Sequence, residues 1–194
     1  GVLAENIIKE LGINKELDLG SKVYDPKAYE LYLKAKSLYA TSESFEDDQK
    51  AIDMMLDAVR IDDEFIGAKL ILGEMYYSAR EYEKAGKLYS RALSKSKATG
   101  DNANIAECLR KQGKLYRKQK DTDNALKKFN EALSITTVMN DRNAMAKTLN
   151  SIAILYYKTD QKEDALQNWL EALRIADEYD DKLKTSKYLN NIGI

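Results

Sequence analysis

The sequence predicts an all-α fold, a right-handed superhelical solenoid of antiparallel helix pairs, and three observations carry that reading. Gly73, Gly113, Ala153 and Gly193 lie on a 40-residue ruler, with Leu109, Leu149 and Leu189 four residues before a mark and Tyr76, Tyr116 and Tyr156 three after. Twelve residues past the mark come Ala85, Ala125 and Ala165, then Tyr89, Phe129 and Trp169, then Ala92, Ala132 and Ala172, each followed by a leucine. Small and large apolar residues in fixed slots at such a period are the mark of stacked helical units. Composition agrees: 44% apolar and 32% charged residues suit helices with one buried stripe, and the lone proline, Pro26, leaves long helices unobstructed.

Taken in chain order, Leu3, Ile7, Ile8 and Leu11 share one helical face and Gly12 is a plausible stop. A polar stretch leads to Tyr24, so residues 1–24 are expected to be a helix and linker from a preceding domain, with the repeat array over 25–194. Asp25-Pro26 then opens the first repeat helix, proline being tolerated in a first turn. In that unit Ala35 and Ala51 are sixteen apart, against twelve later, which predicts a longer turn over 41–46, and Met55 stands where later units have an aromatic.

The third unit shows the pattern most clearly. Ile105, Ala106, Leu109, Gly113 and Tyr116 recur at three and four over 102–118, and Ala125, Leu126, Phe129, Ala132, Leu133 and Ile135 do so over 122–138. The gap between them is short enough to force antiparallel neighbours. Small residues at Gly113 and Ala125 let the two backbones approach, while Phe129 and Tyr116 fill the space above and below. Asp101, Asp141 and Asp181 fall where first helices begin and are expected to cap them. Asp160 with Glu163, and more weakly Ser44 with Asp47, fit a capping box. The register ends in a half unit, Lys184 to Ile194, so the sequence reads as four and a half units of a longer protein.

Leu-x-x-x-Gly-x-x-Tyr over Leu109, Gly113 and Tyr116, followed by Ala125, Phe129, Ala132 and Leu133, resembles the tetratricopeptide repeat family. The family's period is shorter, and the six extra residues per unit imply helices lengthened by roughly three residues, or about 4–5 Å, each. The stretch LAENIIKELGI, the linker and DPKAYELYLKAKSLY resemble a layout in which such an array follows a domain of a bacterial class III nucleotide cyclase or winged-helix regulator. That resemblance implies a regulatory or scaffolding arm of a signalling protein, with any catalytic part outside this chain.

The chain has no histidine, which removes the usual general base and the commonest metal ligand, and it has no glycine-rich phosphate loop. No enzyme, cofactor or metal is expected. The formal net charge of −1 argues against nucleic acid, and no apolar run approaches the roughly 20 residues that span a bilayer. Cys108 is alone, reads as a small buried hydrophobe, and permits a reducing, cytoplasmic setting.

The expected partner is therefore a protein or peptide, an extended or helical segment held against the first helices of the units. The resemblance implies that those helices line the inner side, and their non-core residues include Tyr29, Tyr32, Lys36, Tyr39, Leu70, Glu74, Tyr77, Lys147, Ile154, Tyr157 and Asn191. Asn150 and Asn190 share a register slot that, in long-repeat relatives, holds a peptide backbone, since an amide donates and accepts at once. The slot is broken by Arg110 and Leu70 in earlier units. Arg110, Lys111, Lys114, Arg117 and Lys118 form a basic cluster suited to an acidic or C-terminal carboxylate segment. Tyr77 and Tyr157 are the tyrosines able to face a ligand, while Tyr76, Tyr116 and Tyr156 are expected in the core. Two further possibilities are that the array positions an attached cyclase without any peptide, and that two copies pair through the last helix, where Leu189, Ile192 and Ile194 would stand uncovered.

Overall fold

The computed structural model describes residues 24–178 and 182–192, and every regular element among them is an α-helix. The helix expected over residues 3–11 lies outside the described residues, as do Asp181, Gly193 and Ile194. The helices are α1 Pro26–Thr41, α2 Phe45–Ile61, α3 Ile66–Ser78, α4 Tyr82–Ala98, α5 Asn102–Lys118, α6 Thr122–Val138, α7 Arg142–Lys158, α8 Lys162–Glu178 and α9 Lys182–Ile192. They divide into two compact units, one ending at Ala79 and the other beginning at Arg80.

In the first unit α1 packs on α2 and α2 on α3. Asp25 caps α1, its Oδ1 accepting from the Lys27 and Ala28 backbone N–H groups at 2.9 and 3.0 Å. Its own N–H donates to Asp62 Oδ2 just past the end of α2, tying the two helix ends together. Ser44 caps α2 by accepting from the Asp47 N–H at 3.1 Å, while its hydroxyl donates to the Asp47 carboxylate at 2.8 Å. The longer turn expected over 41–46 is not there. Only Ser42 to Ser44 connect the helices, and most of the extra residues between Ala35 and Ala51 lengthen the start of α2. A continuing helix satisfies the backbone of those residues internally, which an enlarged loop would not. Met55 is fully buried in the aromatic slot.

The second unit is more regular than a 40-residue repeat requires. From α4 to α8 every helix has 17 residues and every connection three, a period of 20. Positive φ angles mark the same ruler: Arg80 63°, Gly100 67°, Lys120 63°, Asn140 52° and Asp160 62°. At each of the last four the following residue's N–H reaches back five residues: Asp101 to Ser96 O, Asp121 to Tyr116 O, Asp141 to Thr136 O and Gln161 to Tyr156 O, all at 2.9–3.0 Å. The left-handed residue itself donates three residues back, as Lys120 does to Arg117 O at 3.2 Å. This is the Schellman termination, which satisfies helix-end carbonyls. The next residue then starts the following helix. Asp101, Asp121 and Asp141 accept from the backbone N–H of Asn104, Asn124 and Ala144 at 3.1, 3.2 and 2.9 Å. One aspartate thus closes one helix and opens the next. The capping box read from Asp160 and Glu163 is corrected here: Asp160 holds the left-handed turn position, and Gln161 occupies the slot before α8.

Consecutive helices of this unit pack on one another, and α5 also touches α7. Gly113 is buried under Phe129, and a Cβ there would come within 2.5 Å of the ring. Phe129 shares its cluster with Ala125, Ile152 and Leu155, and Tyr116 and Tyr156 pack on it half-buried. Trp169 packs with Ala153, Ala165 and Ile192, and the side chain buried from α9 is Tyr188, in a cluster with Leu149 and Ile175. Leu189 is only half-buried.

The Gly113→Ala variant should lose about 1–3 kcal/mol, the usual cost of forcing an atom into a filled core, measured by urea unfolding. A loss near zero would mean that the Phe129 ring moves aside freely. A Cβ added at Gly100 would meet no atom within 4 Å, so Gly100→Ala tests the backbone alone. It should cost about 1 kcal/mol because an L side chain disfavours that φ, and Arg80→Gly should gain several tenths in the same assay.

Candidate protein-interaction site

The basic cluster read from α5 separates into two parts. Arg110 and Lys111 are buried and folded onto Glu107. Arg110 Nε and a terminal nitrogen donate to the two Glu107 oxygens at 3.0 and 2.5 Å, and Lys111 Nζ lies 3.3 Å away. They are internal counter-charges and present no cationic surface. Burial alone would raise the Glu107 carboxyl, but Arg110 and Lys111 outweigh it and hold its pKa down at about 2. Next to it, burial pushes the Cys108 thiol up to about 12, against a hydrogen bond with Ser96 that pulls the other way.

Lys114 and Arg117 are half-buried and Lys118 is exposed. Arg117 and Lys118 line an open cleft of about 440 Å³ with Lys120, Thr122, Leu155, Lys158 and Thr159. It is formed by the ends of α5 and α7, the turn after α5 and the start of α6. Four cations therefore surround one cavity, and no carboxylate lines it. Arg117 Nε is buried with no hydrogen-bond partner. Helix-face reading of α5 misses Lys120 and Lys158 because neither belongs to that face. A signal for them is nonetheless present, since Lys118 and Lys158 are one 40-residue period apart and such residues end up side by side.

Asn150 and Asn190, equivalent in register, differ in place. Asn150 is buried, and its Oδ1 accepts from Trp169 Nε1 at 3.0 Å and from Asn191 Nδ2 at 2.8 Å. Its acceptor is thus occupied within the fold, joining α7, α8 and α9. Asn190 is exposed, and it is its neighbour Asn191 that turns inward. Tyr157 is 57% exposed, with its ring tilted against Trp169 at 5.7 Å between centroids. In the other unit, Tyr77 is half-buried and Leu70 buried. There Tyr24, Tyr29, Tyr32 and Phe65 stack on one another, and Lys36 lies over the Tyr32 ring at 5.9 Å. Tyr29 and Tyr32 are packing residues in large part.

Among the described residues no three His, Cys, Asp or Glu side chains are grouped to hold a metal ion, and no helix is long and apolar enough to cross a membrane.

The tetratricopeptide repeat family model matches residues 65–137. No curated protein matches the chain in sequence. Among solved structures, aspartyl phosphate phosphatase F from Bacillus subtilis is similar with a TM-score of 0.72 at 16% identity, over 86% of this chain and 45% of that one. The apo form of RapI gives 0.66 at 18% identity, over 98% and 52%. MamA gives 0.58 at 17%, over 91% and 86%. This chain thus spans about half the length of the first of these and of RapI. The likeness establishes a tetratricopeptide-like helical-repeat fold.

Two measurements probe the polar interior. Glu107 has a depressed pKa, so its ion pairs add stability that is complete above about 4.5 and is lost as pH falls toward about 2. Stability should therefore drop across that window, and Glu107→Gln should flatten the drop in urea unfolding at stepped pH. Asn150→Ala leaves the buried Trp169 N–H without its acceptor and should cost about 1–3 kcal/mol. Trp169, the only tryptophan, reports it through its emission; an unchanged spectrum and unfolding midpoint would contradict the bond.

Proposed function

We propose that this chain is a protein-interaction scaffold that holds an extended or helical peptide segment against α5 and α7, as part of a larger signalling protein. The observation that supports it best is the pairing of a tetratricopeptide-like fold with accessible side chains of mixed chemistry on adjacent first helices. Lys114 and Arg117 are half-buried there, and Lys118 and Tyr157 are exposed. Cations steer and fix an acidic segment, and an exposed tyrosine edge adds contact area at little entropic cost. Asn190 belongs to this reading as an exposed amide, whereas Asn150, Arg110 and Lys111 act by shaping the helices beneath.

Lys114→Glu combined with Tyr157→Ala should abolish retention of a partner that the unaltered chain draws from lysate, with the helical circular dichroism unchanged. Equal retention by both proteins would remove this face from the reading. Pairing of two copies through α9 is a further part of the proposal, because Leu189 and Ile192 keep part of their surface accessible. Sedimentation over a range of concentrations should show mass action toward a dimer, and a strictly monomeric chain would eliminate it.

A further inference from the structure

We infer that the cleft at the ends of α5 and α7 is an anchor for clustered carboxylates of an acidic peptide segment. The inference rests on the scaffold reading and assigns that scaffold a charged anchor point. The cleft's composition is the first argument. Arg117, Lys118, Lys120 and Lys158 converge on about 440 Å³, a size typical of ligand sites, in a chain whose formal net charge is −1. The lining of the cleft contains four cations and no carboxylate.

Helix dipoles account for part of this and not for all. Arg117, Lys118 and Lys158 lie in the last turns of α5 and α7, where a cation offsets the negative helix end. Lys120 is different, because it sits beyond α5 at a φ of 63°, a strained conformation for lysine where glycine or asparagine fits better. Thr122, also in the lining, begins α6, whose N-terminus is capped by Asp121. Arg117 Nε is buried without a hydrogen-bond partner. Like charges gathered this way repel, and a bound polyanion relieves that repulsion.

The shape selects among anions. Lys118, Lys120 and Lys158 are exposed and Arg117 is half-buried, so the charges spread from rim to floor. Successive glutamates or aspartates on a flexible chain can meet charges set at different depths. The Thr122 hydroxyl also lies in the lining, while that of Thr159 is spent on the Leu155 and Tyr156 carbonyls.

The test is fluorescence anisotropy of a labelled peptide bearing a run of glutamates, against its all-glutamine analogue and with free pyrophosphate as competitor. The unaltered chain should bind the acidic peptide, weaken on raising salt, and ignore the glutamine peptide. Lys120→Asn with Lys158→Gln should reduce affinity by about tenfold or more. Asparagine already fills the equivalent turn at Asn140, so the backbone is kept. Lys127→Gln, with an exposed charge on α6 outside the lining, should leave binding unchanged. Equal binding by the double variant would overturn the anchor while leaving the scaffold reading intact. Binding of the glutamine peptide as well as the acidic one, or of pyrophosphate without either peptide, would overturn the carboxylate assignment. Failure of the scaffold reading itself shows separately, as loss of partner retention by the unaltered chain.

Discussion

The three-residue turn between helices is the constraint on which the second unit depends. It ends one helix through a left-handed residue and begins the next with the side chain immediately after it. Because the aspartate in that place accepts from a backbone N–H three residues on while its own N–H closes the helix behind, neither boundary can slide alone. Fixed boundaries fix helix length. Fixed length puts Gly113 under Phe129, since a shift of one residue would rotate either helix by about 100°. The packing follows from the turn as much as the turn from the packing.

What is legible in the sequence and what is not divide along a physical line. The α5 and α6 boundaries, the antiparallel pairing and the small residue beneath Phe129 can be read directly, because burial and backbone satisfaction write themselves into periodic apolar slots. The 20-residue period is hidden. Its left-handed positions hold arginine, glycine, lysine, asparagine and aspartate, which share a backbone conformation and no side-chain chemistry. Asp121 escapes notice as a cap for that reason, although it does the same work as Asp101 and Asp141. The first unit misleads in the opposite way, since the extra residues between Ala35 and Ala51 look like a loop when counted and form helix when folded.

The candidate site is less legible, and the reason is three-dimensional. Helix-face counting treats Arg110, Lys111 and Lys118 as equal members of one stripe. In the fold, Glu107 reaches both Arg110 and Lys111 from three and four positions away and draws them in, so their charge is spent inside the structure. Asn150 shows the same thing with an amide: its slot suggests a hand for a peptide backbone, and its oxygen serves Trp169 and Asn191. Conversely, Lys120 and Lys158 gain significance only when two helix ends meet.

The buried sulfur beside Glu107 has a practical consequence. A thiol whose proton is held to about 12 is almost wholly un-ionised at neutral pH, and burial denies reagents access to it as well. The chain's only native cysteine is therefore silent toward maleimides and mild oxidants so long as the helices stay closed. A cysteine placed at an exposed position such as Ser94 would be the single reactive handle on an otherwise unaltered surface. Spectroscopic probes, crosslinkers or immobilisation chemistry could then be directed to one chosen face without first removing the natural residue, and slow labelling at Cys108 would itself time the opening of α5 from its neighbours.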